Sequence, residues 1–161
     1  MPVELSIEKD DLNQVEDFFS SATERLDDWT EAGEDIVTMI RDDVKLRFQS
    51  SPAPGMGGMV YGDVYWRPLR EGYLLNRPDR RSGQILIDSG TLKRSVTEDT
   101  PESYTEINEE EIIVGTRVPY AERLQREFPF MFWHPILLDR VSKHLADWYL
   151  TGKKRNREKD L

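Results

Sequence analysis

The chain has 161 residues, no cysteine, 37% hydrophobic and 33% charged residues, and a net charge of −9. Its length suits one domain with a core of its own, and the lack of cysteine excludes disulfides, a thiol nucleophile and thiolate metal sites. No apolar run approaches the roughly 20 residues of a membrane span, and the acidic N-terminus is unlike a signal peptide. We therefore expect a soluble, non-secreted protein that contacts no membrane.

The charge is distributed unevenly along the chain. Residues 1–50 hold 14 Asp/Glu and 5 Lys/Arg (−9), residues 51–150 hold 15 and 12 (−3), and residues 151–161 hold 2 and 5 (+3). An acidic surface repels the phosphate backbone, which argues against nucleic-acid binding by the protein as a whole. The short basic tail at 151–161 is typical of a solvated C-terminus.

Two helices are predicted in the first fifty residues, over 8–27 and 31–49. Apolar residues recur every three or four positions, which is the spacing of one helical face. The first stripe is Leu12, Val15, Phe19, Ala22, Leu26 and Trp29, and the second is Ile36, Val37, Ile40, Val44 and Phe48. The helices could form a hairpin or one bent rod. We expect the stripes to form a core, with a subunit interface as the alternative.

A long loop is predicted over 50–83. The sequence SSPAPG at 50–55 ends the second helix, because two prolines and a glycine cannot continue it. Glycines around apolar residues at 57–65 predict a flexible loop that becomes ordered against a partner, and no Gly-Lys-Ser/Thr follows to make a phosphate loop.

Arginines concentrate in the second half of this loop, at Arg67, Arg70, Arg77, Arg80 and Arg81. We interpret them as an exposed surface for a protein partner. The alternative is nucleic-acid binding by charge and by stacking on nearby aromatic residues.

Short elements are predicted after the loop. They are a strand at 84–87, a turn in which Ser89 caps a helical turn at 91–94, a strand at 95–98, and a β-hairpin from 104–107 and 111–115. A helix follows Pro119, an extended aromatic segment spans 128–133, and Pro135 opens the last helix. The predicted fold class is α+β, with N-terminal helices and a C-terminal helix packed on a small, mostly antiparallel β-sheet with long loops.

No group of residues predicts catalysis, a cofactor or a metal. His134 and His144 are ten positions apart, without carboxylates at ligand spacing, and we interpret both as structural. Ser89 lacks the second glycine of a nucleophile elbow. Carboxylate pairs such as Asp42/Asp43 fall on helix faces, where solvation accounts for them. We therefore expect no enzyme and no cofactor.

An ordered series of short motifs runs through the middle of the chain. It comprises Arg47-Phe48, Trp66-Arg67-Pro68-Leu69, the run ILIDSGTLKRSV at 85–96, Val114-Gly115-Thr116, Pro119-Tyr120-Ala121 and Phe128-Pro129-Phe130-Met131. Over roughly residues 36–135, this series resembles the virion morphogenesis proteins of long-tailed bacteriophages, the tail completion or tail-to-head joining family.

The resemblance implies a structural virion protein that completes the tail and joins it to the head or neck. It implies a single domain over 1–150, a ring of identical subunits for which six is one candidate number, and contacts with connector or neck and tail-tube proteins. DNA would be near only incidentally. The protein would be assembled in the host cytoplasm and lie at the neck or the head-proximal end of the tail. The alternative function is a nucleic-acid-binding adaptor that uses the arginine loop and the basic tail.

Two sets of residues follow from these interpretations. The structural motif set is Phe48, Trp66, Pro68, Leu69, Leu86, Ser89, Gly90, Leu92, Gly115, Tyr120, Ala121, Pro129 and Phe130. The candidate partner interface is Met59, Tyr61, Tyr65, Arg77, Arg80, Arg81, Phe132 and Trp133.

Overall fold

A computed structural model describes residues 9–28 and 30–153, without the side chains of 9–13, 15 and 26. The elements are α1 (Lys9–Asp27), α2 (Thr30–Gln49), β1 (Gly58–Val60), β2 (Val64–Trp66), α3 (Glu71–Asn76), a 3₁₀ helix (Pro78–Arg81), α4 (Thr91–Thr97), β3 (Ser103–Ile107), β4 (Ile112–Thr116), α5 (Ala121–Glu127) and α6 (Pro135–Thr151). The predicted α+β class is confirmed, although the four strands form two separate two-stranded antiparallel sheets rather than one sheet.

The two predicted N-terminal helices are present, and the helical conformation is interrupted between them at Asp28. The Asp28 carboxylate accepts hydrogen bonds from the Thr30 hydroxyl and, at 3.0 Å, from the Thr30 N–H, so it caps α2. These bonds lower the pKa of Asp28, with the hydroxyl bond the larger cause.

The stripe on α2 lies in the core as predicted, whereas the stripe on α1 does so only in part. Ala22 is buried, but Phe19 is 62% exposed. Trp29 and the side chains of Leu12, Val15 and Leu26 lie outside the described residues.

The core surrounds the C-terminal half of α2. Its buried members are Val44, Phe48, Val60, Trp66, Ile85, Leu92, Val96, Val118, Ala121, Phe128 and Phe130. Trp66 lies at its centre, with its ring edge-on to Phe48 and Phe128 at centroid distances of 6.2 and 6.3 Å. The Trp66 indole N–H donates to the Pro129 carbonyl at 3.0 Å, so the buried polar atom is satisfied.

The flexible apolar loop predicted at 57–65 is wrong, because β1 and β2 pair there as an antiparallel hairpin, with Met59 opposite Tyr65. Gly62 at φ 91° and Asp63 at φ 60° provide the reversal. One face of the hairpin buries Val60 and Trp66 in the core, which holds the segment in place. Further along the predicted loop, α3 and the 3₁₀ helix are also ordered.

Both strands predicted between 84 and 98 are wrong. Residues 84–87 form a tight turn with a single bridge between Gln84 and Ile87, and Leu86 has a φ of +63°. The turn is tied to the end of α2, since the Ser51 hydroxyl donates to the Ile85 carbonyl at 2.7 Å. The second segment continues α4, because Leu92, Ser95 and Val96 are buried at helical rather than alternating spacing.

The β-hairpin predicted from 104–107 and 111–115 is confirmed as β3 and β4, paired from Ser103↔Thr116 to Ile107↔Ile112. Helix α6 begins at Pro135 as predicted and ends at Thr151, and the C-cap residue Gly152 has a φ of 65°, which suits glycine at this position. Among the described helices, none is long and apolar enough to cross a membrane.

Candidate functional site

A cleft of about 590 Å³ lies where three segments of the chain meet, a volume typical of binding sites. We call it the arginine cleft and define it by its lining residues: Arg67, Pro68, Leu69, Arg70, Tyr73, Arg80, Leu86, Asp88, Ser89, Gly90, Thr91, Leu92, Tyr120, Arg123, Leu124, Glu127 and Phe128. Leu69, Leu86 and Leu124 pack against the core and provide the apolar part of its wall.

Backbone contacts fix the first segment of the cleft. The Leu69 N–H donates to the Pro54 carbonyl at 2.7 Å, so the chain after β2 lies against the Pro/Gly segment that ends α2. Gly57 allows this approach: at its φ of 64°, a Cβ atom would lie 2.7 Å from the Trp66 carbonyl oxygen and 2.8 Å from the Pro68 nitrogen.

The second segment turns into α4 at the cleft wall. Gly90 has a φ of 80°, which a side chain rarely adopts. The predicted role of Ser89 is confirmed in part: its hydroxyl accepts from the Thr91 N–H at 3.3 Å and lies 2.9 Å from the Thr91 hydroxyl, although Gly90 is the residue at the N-cap position.

Four arginines and two carboxylates line the arginine cleft, a formal excess of two positive charges (4 − 2) in a chain of net charge −9. Both carboxylates are paired with arginines. Glu127 accepts from Arg67 at 2.7 Å, and Asp88 accepts from Arg77 at 3.3 Å and lies 3.8 Å from Arg80. Arg70 and Arg123 are exposed and make no ion pair or side-chain hydrogen bond with any described residue.

The predicted exposed position of Arg80 is wrong. This side chain is only 9% exposed, and it donates to the carbonyls of Ile87 at 2.6 Å and Gln84 at 3.2 Å. The guanidinium provides a donor for the Ile87 carbonyl and a second donor for the Gln84 carbonyl, which also accepts from the Ile87 N–H at 3.3 Å within the tight turn. Arg80 therefore supports the cleft wall.

Arg77 and Arg81 are exposed, as predicted, but Arg77 is not free. Its guanidinium donates to Asp79 at 2.8 Å, which lowers the pKa of Asp79 and raises the pKa of Arg77. Together with the contact to Asp88, this pairing neutralises much of the charge predicted for the loop.

The apolar part of the predicted partner interface separates into two groups. Met59 and Tyr65 lie side by side on the outer face of the β1–β2 hairpin and are 58% and 57% exposed, and Trp133 is exposed as well. Tyr61 and Phe132 are half-buried, because they pack within their own chain. Each ring contacts the His134 ring, at centroid distances of 5.4 and 5.9 Å.

The structural motif residues gather in two places. Phe48, Trp66, Leu92, Ala121 and Phe130 are buried core members, and Pro129 accepts the indole hydrogen bond of Trp66. The set that lines the arginine cleft is Pro68, Leu69, Leu86, Ser89, Gly90, Leu92 and Tyr120. Gly115 lies apart, in β4 opposite Tyr104.

A buried polar layer joins α2 to the start of α6 and was missed in the sequence. The interpretation of Asp43 as solvated is wrong: it is fully buried, bonded to Arg47 one turn later and 2.7 Å from the His134 Nε2 atom. Arg47 also donates to the Phe130 carbonyl at 3.0 Å, and burial lowers its pKa against the opposing effect of Asp43. The sequence feature that could have predicted this buried pair is an Asp and an Arg four positions apart on the apolar face of a helix.

A second buried pair lies further along the same two helices. His144 Nε2 is 3.4 Å from Asp35 Oδ2, at angles that do not make a hydrogen bond. Both pairs are enclosed between helices and away from the arginine cleft lining, which fits a structural role for both histidines.

The cleft is suited to binding an anionic group beside an apolar one. Two unpaired guanidinium groups provide charge-assisted hydrogen bonds, and the leucines provide a dry wall. Over 9–28 and 30–153, no three His, Asp or Glu side chains converge as a metal site. The sequence analysis did not identify Arg123 as a site residue, because no pattern in its own helix relates it to the arginines of the predicted loop some fifty residues earlier.

No protein family, curated protein or solved structure matches the chain.

Proposed function

We propose that the chain is a non-catalytic structural protein of a long-tailed bacteriophage, which completes the tail and joins it to the head or neck as a ring of identical subunits. The proposal begins with the sequence resemblance. It is supported by one observation above all: the motif residues other than Gly115, separated by up to 82 positions from Phe48 to Phe130, meet around one core and one cleft. A motif series that served unrelated local turns would not converge in this way.

The exposed apolar side chains support a role in assembly. Met59, Tyr65 and Trp133 are each more than half exposed. Side chains of this kind are stabilised when a partner covers them, and aromatic residues are enriched at protein interfaces. On this proposal the partners are other copies of the chain and the neighbouring connector, neck or tail-tube proteins, at the head-proximal end of the tail.

The second candidate function is a nucleic-acid-binding adaptor. It is favoured by one feature, the exposed Arg70 and Arg123 beside Tyr73 and Tyr120 in the arginine cleft. The pairing of Arg77 and the burial of Arg80 weaken it, because they remove two of the five arginines on which it rested.

Electron microscopy of the purified protein tests the first candidate. We expect closed rings of uniform diameter, and we expect a phage that lacks the gene to release heads and tails that do not join. Monomers at millimolar concentration, together with normal virions from the deletion phage, would contradict the proposal. Tight, salt-dependent binding to duplex DNA by a monomer would instead support the adaptor.

A further inference from the structure

Two features of the arginine cleft indicate the kind of ligand that it would bind. Arg70 and Arg123 present unpaired positive charges, and the partly buried leucines beside them form an apolar wall. Guanidinium groups at an exposed surface bind carboxylates well, since each can donate two parallel hydrogen bonds. A matching ligand therefore carries carboxylates next to a large apolar side chain.

One turn of α1 has this composition. Glu16, Asp17, Phe18 and Phe19 are all exposed, and the two phenyl rings contact each other edge to face at 5.6 Å. Phe18 is 43% exposed and Phe19 62% exposed. Neither carboxylate makes an ion pair within the described part of the chain. Glu16 and Phe19 are three positions apart, so they share one face of the helix.

We propose that the arginine cleft of one subunit binds the Glu16–Phe19 turn of α1 of a second copy of this chain. Arg70 and Arg123 would pair with Glu16 and Asp17, and the phenylalanines would cover the leucine wall. This inference rests on the proposed function and extends it, because it specifies the contact between identical subunits.

The turn cannot readily fill the cleft of its own chain. Helix α1 is fixed on α6, where the Arg25 Nε atom donates to the Tyr149 carbonyl at 2.8 Å and Ala22 is buried. No residue of α1 or α6 lines the arginine cleft among the residues that the structure describes. The turn and the cleft are thus two different surfaces of one subunit, and a contact between two different surfaces joins subunits head to tail, as a ring requires.

The make-up of the cleft favours this occupant over a nucleic acid. The acidic excess of −9 lies in residues 1–50, so α1 of an approaching copy brings carboxylates to the guanidinium groups and phenyl rings to the leucine wall, whereas a phosphate backbone would leave that wall uncovered. The contact should therefore weaken as ionic strength rises.

Charge exchange between the two surfaces tests the proposal. Sedimentation velocity at low and high salt would compare the wild type with Arg70→Glu/Arg123→Glu, with Glu16→Arg/Asp17→Arg, and with the variant that combines all four changes. All four residues are exposed, so the fold should persist, and circular dichroism checks it. Lys45→Glu/Lys153→Glu is the matched control, since these exposed lysines lie outside the cleft and change the net charge by the same amount as the arginine pair.

We expect each double variant in the cleft or in the turn to weaken self-association by about tenfold or more, and the four-fold variant to restore it because the opposite charges meet again. The control should assemble like the wild type. Assembly of Arg70→Glu/Arg123→Glu at wild-type strength would overturn this inference alone and leave the ring intact.

A wild type that stays monomeric at low salt would overturn both proposals. Duplex DNA binding that is lost in Arg70→Glu/Arg123→Glu, with self-association unchanged, would identify the cleft as a nucleic-acid site and overturn the inference. Two results could also occur together: assembly is restored in the variant that combines all four changes, and heads and tails still join in a phage that lacks the gene. They would support the contact and contradict the proposed function.

Discussion

At the scale of single residues, the most consequential group is the charged one enclosed between α2 and the start of α6. Asp43, Arg47 and His134 are all buried, and each bonds another member of the group. Burying a charge is unfavourable unless it is paired and hydrogen-bonded, so the three side chains depend on one another. They tie the aromatic segment after α5 to α2, because Arg47 also donates to the Phe130 carbonyl.

Replacing Asp43 should therefore be costly. Asp43→Ala leaves the Arg47 guanidinium buried without its carboxylate, and we expect a loss of about 3–5 kcal/mol in the free energy of unfolding. Glu34→Ala is the matched control on the same helix, where the exposed carboxylate should contribute within about 0.5 kcal/mol. Urea denaturation measures both. Equal effects of the two substitutions would contradict the structure of the buried layer.

A second residue-scale prediction concerns Tyr104 in β3. Its hydroxyl donates to the Glu106 carboxylate, and this bond is the main cause that raises the pKa of Tyr104 above its usual value of 10. The stabilising effect is fully present below pH about 10 and is lost as pH rises through the folded-state pKa. Glu106→Gln should lower the Tyr104 pKa, as followed by NMR of the labelled ring. Glu110→Gln, on the turn, should leave it unchanged, and a shift of equal size in both variants would argue against the bond.

At the scale of secondary-structure elements, the β1–β2 hairpin matters because it carries Trp66 into the core and leads directly to the cleft. Only three residue pairs hold its strands together. Such a short hairpin is not stable by itself, so its position depends on packing beneath it and on the close approach at Gly57. Part of the predicted loop is thereby converted into one wall of the arginine cleft, formed by residues 67–70, Tyr73 of α3 and Arg80 of the 3₁₀ helix.

Two neighbouring glycines test this element. Gly57→Ala should destabilise the protein by about 1–3 kcal/mol, because a Cβ atom there meets backbone atoms and requires a strained positive φ. Gly55→Ala is the control: nothing lies within 4 Å of its Cβ position, and alanine there should be neutral or slightly stabilising. Thermal unfolding of the two variants gives the comparison. A Gly57 variant as stable as the Gly55 variant would contradict the hairpin geometry.

At the scale of the whole molecule, α1 stands apart from the rest. No residue of α1 belongs to the main core cluster among the residues described, and the helix is attached chiefly to α6. The remaining elements surround one core and one cleft. This arrangement separates a folded body from an acidic, partly apolar helix, and on our proposal the separation gives one subunit two different binding surfaces.

A shortened chain tests the independence of that body. A variant that begins at Asp28 keeps the cap of α2, and we expect it to unfold cooperatively with a modestly lowered Tm, because among the described side chains of α1 it loses chiefly the burial of Ala22 and the Arg25 contact. It should not self-associate if α1 supplies the contact. Circular dichroism and sedimentation measure the two properties, and non-cooperative unfolding would show that α1 is part of the core.

Local patterns in the sequence were sufficient for several elements. The stripe from Ile36 to Phe48 predicted α2, the Pro/Gly segment predicted its end, alternation predicted the β3–β4 hairpin, and Pro135 predicted the start of α6. Each of these depends on the spacing of near neighbours, which decides backbone conformation directly.

Tertiary structure alone decided which polar side chains are buried and where the cleft forms. Asp43 is buried because His134, 91 positions away, meets it, and the cleft forms because α5 brings Arg123 to the same cleft that Arg70 lines. Residues 95–97 became helix rather than strand because the core accepts Leu92 and Val96 from one helical face. Burial and charge pairing depend on contacts between distant segments, so no window of the sequence contains both partners.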